Sequence, residues 1–463
     1  MDLAQEFADV AAQVRYETLP RDTIAVTKLH VLDTLAVGLA GSTADGIAAG
    51  LSYVRELGGA PRSSVFAFGD RLPPPTAAMI NATLCQARDF DPVYEPGVLL
   101  PYAPVVAAAL ATAEATDAAG RDVLTAIVLG ADLCCRLGRS LTSGLGWSRT
   151  ATLGVFGAAL AAAYVLRLTR EQTVWALGLA LSQSSGNIQT VIDGSLAKRY
   201  QAGFAAEDGV RAAMLAGRGV TGPVNVFEGR CGFMQLYEAG RFERAQVTDA
   251  LGSSFEGTRA SIKPYPCARE QHGAIVAALE LAAQGVAPER IERVEVELPP
   301  NAFVLAGRPF RREGATIAGA MGSAAYGVGV ALTKRAVGIA DFAEDAIRDS
   351  QGAALAERVT VVEDTAARDA RTLVPQSVTV YLQNGERRSA TCAAIPGSPD
   401  FPLDRRAHRE KIIQCLMSTG GMSKVPVERW ANALTHAVEN LDQASSANTL
   451  VECMTGQCGT HER

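Results

Sequence analysis

The sequence predicts a mainly α protein: a large all-helical domain, a smaller α+β lid domain inserted late in the chain, and C-terminal helices that return to the first domain. Three observations predict it. Ala- and Leu-rich segments parted by Gly/Pro punctuation fill about the first 260 residues, as in an all-α core. Period-two alternation begins only after Pro264-Tyr265-Pro266. At 463 residues the chain also exceeds the size that one hydrophobic core usually serves.

In order, Asp22-Thr23 can cap a helix running through Leu39, with Gly41 just past its end. Ala103 to Ala115 and Asp122 to Leu137 read as two helices parted by Ala119-Gly120. Thr152 to Leu166, Arg170 to Leu181 and Gly203 to Leu215 complete the series before the turn at 218–223. These place the helical domain at 1–262. A helix from about Ala268 to Ala283 opens the next unit. The alternation in Arg293-Val294-Glu295-Val296-Glu297-Leu298 marks a half-buried strand, and Val359 to Glu363 is a second. Ser377 to Gln383 and Arg387 to Cys392 flank Asn384-Gly385, the turn chemistry of a tight hairpin. With helices at 315–333 and 339–348, these strands make 263–397 the α+β unit. Lys411 to Met417 and Pro426 to Val438 are helices of a 398–463 tail that packs back on the first domain.

Composition excludes several function classes. A net charge of −6 offers no basic footprint for nucleic acid. The start MDLAQEFADV lacks the order of a secretory signal, so a cytoplasmic protein is expected. The uncharged stretch Gly314 to Thr333 is too rich in glycine for a membrane span and reads as a packed internal segment. Nine scattered cysteines, with no C-x-x-C, suit reduced buried thiols better than a disulfide framework, an iron–sulfur cluster or a metal site.

Several segments stand in one order along the chain: Leu29 to Ser42, Asn81 to Asp91, Thr150-Ala151-Thr152-Leu153-Gly154, Gly194-Ser195 with Lys198-Arg199, Thr221-Gly222-Pro223, Glu228-Gly229-Arg230-Cys231-Gly232-Phe233, Lys263-Pro264-Tyr265-Pro266-Cys267 with His272, and Ser323 to Leu332. Together they resemble the MmgE/PrpD family, which includes 2-methylcitrate dehydratase, cis-aconitate decarboxylase and iminodisuccinate epimerase. The resemblance implies a helical domain with an α+β lid, an active site in the cleft between them, no metal or organic cofactor, a small carboxylate substrate and a homodimer. It also implies chemistry that starts beside a carboxylate. A weakly acidic carbon needs a base within reach and cations that stabilise the enediolate.

By residue, the resemblance makes Lys198 and His272 active-site groups and Asp89 a base or the group that orients one. Tyr326 falls on the family tyrosine as a hydrogen-bond donor. Lys263, a cation where the lid begins, and Arg199, next to Lys198 and chiefly structural, join Arg149 as substrate-binding candidates. Each has an ordinary alternative: a solvated lysine, a core histidine, a capping aspartate or a gap-filling tyrosine. The departures are equally specific. Family histidines are replaced where Leu100-Pro101, Ser148-Arg149 and Tyr200-Gln201 stand, and Arg149 gains the capacity to bind an extra carboxylate. Leu99 and Leu100 suggest a greasier wall. The expected function is a cofactor-independent lyase, dehydratase or decarboxylase in type, on a small polycarboxylate or alkylated citrate-like acid. The alternatives are an epimerase exchanging a proton at a carboxylate-bearing carbon and a non-catalytic binding or dimerising relative.

Overall fold

Small side chains set how closely the N-terminal helices approach one another. The computed structural model describes residues 1–456 except 143, 145, 368, 370 and 422–424. Its first ten helices are α1 (Leu3–Gln13), α2 (Arg21–Gly41), α3 (Ile47–Leu57), α4 (Pro74–Gln86), α5 (Tyr102–Thr116), α6 (Gly120–Ser140), α7 (Arg149–Val165), α8 (Arg170–Leu181), α9 (Gln189–Ile192) and α10 (Ala197–Ala216). α10 lies against both α4 and α7. A Cβ at Gly203 would sit 2.2 Å from Thr83 Oγ1, and one at Gly209 2.7 Å from the Ala159 nitrogen. Two glycines thus let one helix touch two neighbours backbone to side chain.

The expected helices are present, with shifted ends. α10 starts at Ala197 and not at Gly203, because that glycine is a packing point inside the helix; Lys198 and Arg199 therefore lie on its first turn. α2 starts after Pro20 with no side-chain cap, and Gly41 is its last residue and not a stop beyond it. A Cβ at Gly41 would lie 2.1 Å from the Leu84 carbonyl, so this glycine serves the α2–α4 contact. By length and composition α2 is apolar enough to cross a bilayer, yet 72% of its most apolar window is buried inside the protein.

A short ladder pairs β1 (Ser63–Ser64) with β2 (Arg71–Leu72). The main sheet has the order β4-β3-β5-β6, from β3 (Ile291–Leu298), β4 (Val359–Glu363), β5 (Gln376–Leu382) and β6 (Arg387–Cys392). β3 and β4 run parallel, and the other pairs are antiparallel. Gln376, Val378, Val380 and Leu382 alternate inward along β5, and the His272–Ala283 helix packs on β5 and β6. The 315–333 segment divides at Gly322-Ser323 into Ile317–Met321 and Ala324–Lys334, where the Ser323 hydroxyl caps the second helix. The second piece is largely buried, whereas in the first only Ala320 and Met321 are. The 339–348 segment likewise divides into a 3₁₀ turn, Ile339–Phe342, and Glu344–Asp349.

Two hydrophobic cores result. One runs from Leu3 to Ala260 and takes in tail residues from Ile412 to Met454. The other gathers residues from Cys267 to Ile395. The tail contributes the helices Arg405–Met417, Val427–Glu439 and Asn448–Met454, the first of which packs on α2. Seven of the cysteines are buried, Cys231 is exposed, and Cys458 lies outside the described residues.

Candidate active site

α4 ends at Gln86, and the chain then turns through Ala87 to Pro92. Asp89 sits in this turn with a left-handed backbone, φ +48°, and its N–H donates to the Gln86 carbonyl at 3.0 Å. The bend aims the carboxylate at two cations. Lys263 Nζ donates to Asp89 Oδ1 at 2.6 Å and to the Asp89 carbonyl at 2.9 Å. Lys198, from the first turn of α10, donates to Asp89 Oδ2. The Lys263 side chain is 2% exposed, whereas that of Lys198 is 26% exposed and keeps an open edge. Burial alone would raise the Asp89 carboxyl; the two lysines outweigh it and hold the group well below the usual carboxylate range. Asp89 is therefore held as a carboxylate between the two lysines.

This trio forms part of the wall of a cleft of about 90 Å³ between the two cores, lined from one side by Asp89, Lys198 and Arg149 and from the other by Lys263, Arg269 and Glu270. Arg149 opens α7 and donates to the Gly97 carbonyl at 3.3 Å. Arg269 is buried and donates to Glu95 Oε1 at 2.8 Å and to the Pro396 carbonyl at 2.9 Å. Val93, Val98, Leu100, Ile188, Val191 and Leu305 supply the apolar wall. Leu100 reaches it, while Leu99 is buried in the helical core. Among the described residues no group of three or more His, Cys, Asp and Glu side chains is arranged to hold a metal ion.

The structure thus brings together Asp89, Lys198, Lys263 and Arg149. It sets the other three sequence candidates apart. His272 is fully buried behind Arg269, with Nε2 3.2 Å from the Cys267 carbonyl and Nδ1 3.4 Å from Arg269 Nη1. Burial, then the charges of Arg269 and Lys263, push its pKa far below the usual imidazole value, so the ring is neutral and braces the loop. Tyr326 lies in the second core between Phe310 and Phe342, its hydroxyl donating to the Asp341 carbonyl at 2.5 Å. Arg199 points away from the cleft and donates to the Asp45 carbonyl at 2.7 Å. A residue absent from the sequence reading, Glu270, is on the cleft wall. It sits in the 3₁₀ turn Arg269–Gln271 before the His272–Ala283 helix. Its only sequence signal is a position between two motif elements, Cys267 and His272.

Family models describe both parts of the chain. The MmgE/PrpD N-terminal domain matches residues 5–245 and the MmgE/PrpD C-terminal domain matches 265–433. The chain belongs to the MmgE/PrpD family. Among its relatives, the cis-aconitate decarboxylase-like protein oryM of Aspergillus oryzae is 25% identical over 98% of each chain. The cis-aconitate decarboxylase of Aspergillus terreus is 28% identical over 74% of each. That of Homo sapiens is 27% identical over 51% of this chain and 50% of its own. The cleft of this MmgE/PrpD protein lies where residues of both matched domains meet.

Proposed function

We propose that this protein is a lyase of the decarboxylase or dehydratase type, acting on a small citrate-like polycarboxylate without an organic cofactor. The observation that carries the reading is the Lys198–Asp89–Lys263 trio on the cleft wall. Two ammonium groups on one carboxylate leave a net positive charge. Lys198 has the free edge with which to bind a substrate carboxylate. When a bond at the neighbouring carbon breaks, the electron pair delocalises into that carboxylate as an enediolate. A fixed ammonium beside a partly dry site stabilises the added charge better than water does. Arg149, on the same side of the cleft at the start of α7, is placed for a second carboxylate, which a guanidinium can bind bidentately. The apolar residues accept the carbon skeleton between them. Family relatives named cis-aconitate decarboxylases support carbon dioxide release as the first outcome to test.

The test is incubation with a panel of di- and tricarboxylates, cis-aconitate and 2-methylcitrate among them, in deuterated water with NMR detection. A new alkene or loss of a carboxylate is expected. Exchange of substrate hydrogen for deuterium with neither product would overturn the lyase class in favour of an epimerase. Lys198→Met should lower kcat/KM by about 100-fold or more, the scale of losing a fixed electrostatic contact at developing charge. Turnover as fast as wild type would remove Lys198 from the mechanism.

A further inference from the structure

We propose that Glu270 is the residue that transfers the proton at the reacting carbon. The inference rests on the lyase reading above and names the group that reading leaves open. A proton must be exchanged with carbon, and the cleft offers few groups able to do it. Among the described residues no histidine lines it: His30, His272 and His408 are buried elsewhere and His436 is on the surface. Asp89 is unsuited as a base because both of its oxygens accept from ammonium groups. Lys263 is fixed by Asp89 and almost fully buried. Arg149 and Arg269 are guanidinium side chains, a group suited to binding anions and not to accepting a proton.

Glu270 differs from all of these. Among the described residues its carboxylate has no side-chain hydrogen-bond partner and is met only by its own backbone amide, while its carbonyl is fixed by Gln376 Nε2 at 2.8 Å. The backbone is held and the acid is left available. Burial, helped by the Asp89 charge and opposed by its own amide, Lys263 and Lys198, raises its pKa, which favours the protonated form. Glu270 also lines a second small cavity of about 20 Å³ with Asn301 and Arg371. Arg371 and Leu373 belong both to that cavity and to the open groove beyond it. Glu270 therefore stands between the substrate space and solvent, with a route for its proton to be renewed.

The step balances as follows for carbon dioxide release. The bond from carbon to the departing carboxylate breaks, and its electron pair stays on the substrate, delocalised into a second carboxylate held by Lys198. The neutral Glu270 acid then gives its proton to carbon, forming the new C–H bond, and becomes a carboxylate. Solvent protonates it again through the small cavity. In water loss the ionised form of Glu270 takes a C–H proton, the electron pair becomes the alkene, and the departing hydroxyl takes that proton back from Glu270 and leaves as water.

The experiment compares wild type, Glu270→Gln and Glu270→Asp on whichever panel acid the wild type converts. Rates are followed against pH, product deuterium is read by NMR in deuterated water, and folding is checked by circular dichroism and melting. Glu270→Gln should fold, keep KM within a few fold and lose about 100-fold or more in kcat, the usual scale for a positioned acid or base. The limb of the wild-type kcat profile set by this carboxyl should vanish from the residual activity. Glu270→Asp, one methylene shorter, should retain an intermediate rate and restore the limb. Glu270→Gln within threefold of wild type, or a loss confined to KM with an unchanged pH profile, would overturn the assignment while leaving the lyase reading intact. If Glu270→Gln fails to fold, a folded Glu270→Asp with a wild-type rate and profile overturns it instead. A wild-type enzyme that leaves every acid untouched sinks the lyase reading and this inference with it.

Discussion

Asp89 and Asp91 stand two residues apart and are held in opposite ways. Asp89 is paired with two lysines; Asp91 is fully buried, and neither of its oxygens finds a partner among the described residues. Burial, with a smaller contribution from the Asp89 charge, pushes the Asp91 carboxyl up to about 7 against the pull of Lys263. A folded-state value above the unfolded one means that the native protein holds the proton where the unfolded chain has lost it. Stability from this group is therefore present at low pH and falls as pH rises from about 4 to about 7, by up to about 4 kcal/mol. Asp91→Asn, which cannot ionise, should melt above wild type at pH 8.5, and the gap should shrink to roughly a third of that by pH 5 and close only near pH 4. An equal gap at both pH values would refute this account. Asp89→Asn should do the reverse at pH 8.5, losing about 3 kcal/mol or more because it leaves Lys263 charged and buried without its counter-ion. These carboxylates and lysines were legible because each stands inside a motif. Glu270 was not, since an Arg-Glu-Gln triplet reads as any solvated turn until the fold puts it on a cleft wall. Tyr326 and His272 were legible as motif members, but a motif does not say whether a side chain faces the cleft or the core.

At the scale of elements, the Arg405–Met417 helix fastens the Asp89 turn from behind. Lys411 Nζ lies 2.7 Å from Asp33 Oδ1, donates to the Phe90 carbonyl at 2.9 Å and sits 4.1 Å from the Phe90 ring centre. His408 Nε2 adds a contact to Asp33 at 3.1 Å. A tail helix is thereby tied to α2 and to the residue next to Asp89. Lys411→Met should cost about 3–5 kcal/mol, because it leaves Asp33 buried with His408 alone. It should also lower kcat through a looser Asp89 turn. Adding Asp33→Asn should recover part of the lost stability, since removing both partners is milder than removing one. A melt of Lys411→Met within one degree or so of wild type would mean that the pair contributes little. α1, α3 and α4 were not among the helices read, but most of the longer helix spans were readable from Ala/Leu texture and punctuation. Their ends were less so, because Gly41 and Gly203 are close-contact positions between helices and look in sequence like stops. The 315–333 segment likewise reads as one helix until Ser323 is seen capping its second half.

At the scale of the molecule, the cleft wall is shared between the two cores. Lys198 and Arg149 belong to the helical side and Lys263 and Arg269 to the other, so the cations of the cleft come from both matched parts of the chain. A ligand that binds only the folded state adds RT ln(1 + [L]/Kd) to its stability, about 2.7 kcal/mol at a hundredfold excess over Kd. Citrate or tricarballylate should therefore raise the melting temperature in a concentration-dependent way, while acetate at equal ionic strength should not. The distinction matters because a single carboxylate can satisfy Lys198 without spanning the cleft, and the overall charge of −6 gives anions no general attraction. Lys198→Met and Arg149→Met should each flatten the response, the first on the α10 wall and the second at the start of α7. If citrate and acetate shift the melt equally, or if both variants respond like wild type, the stabilisation comes from nonspecific anion effects and the cleft is not where polycarboxylates bind.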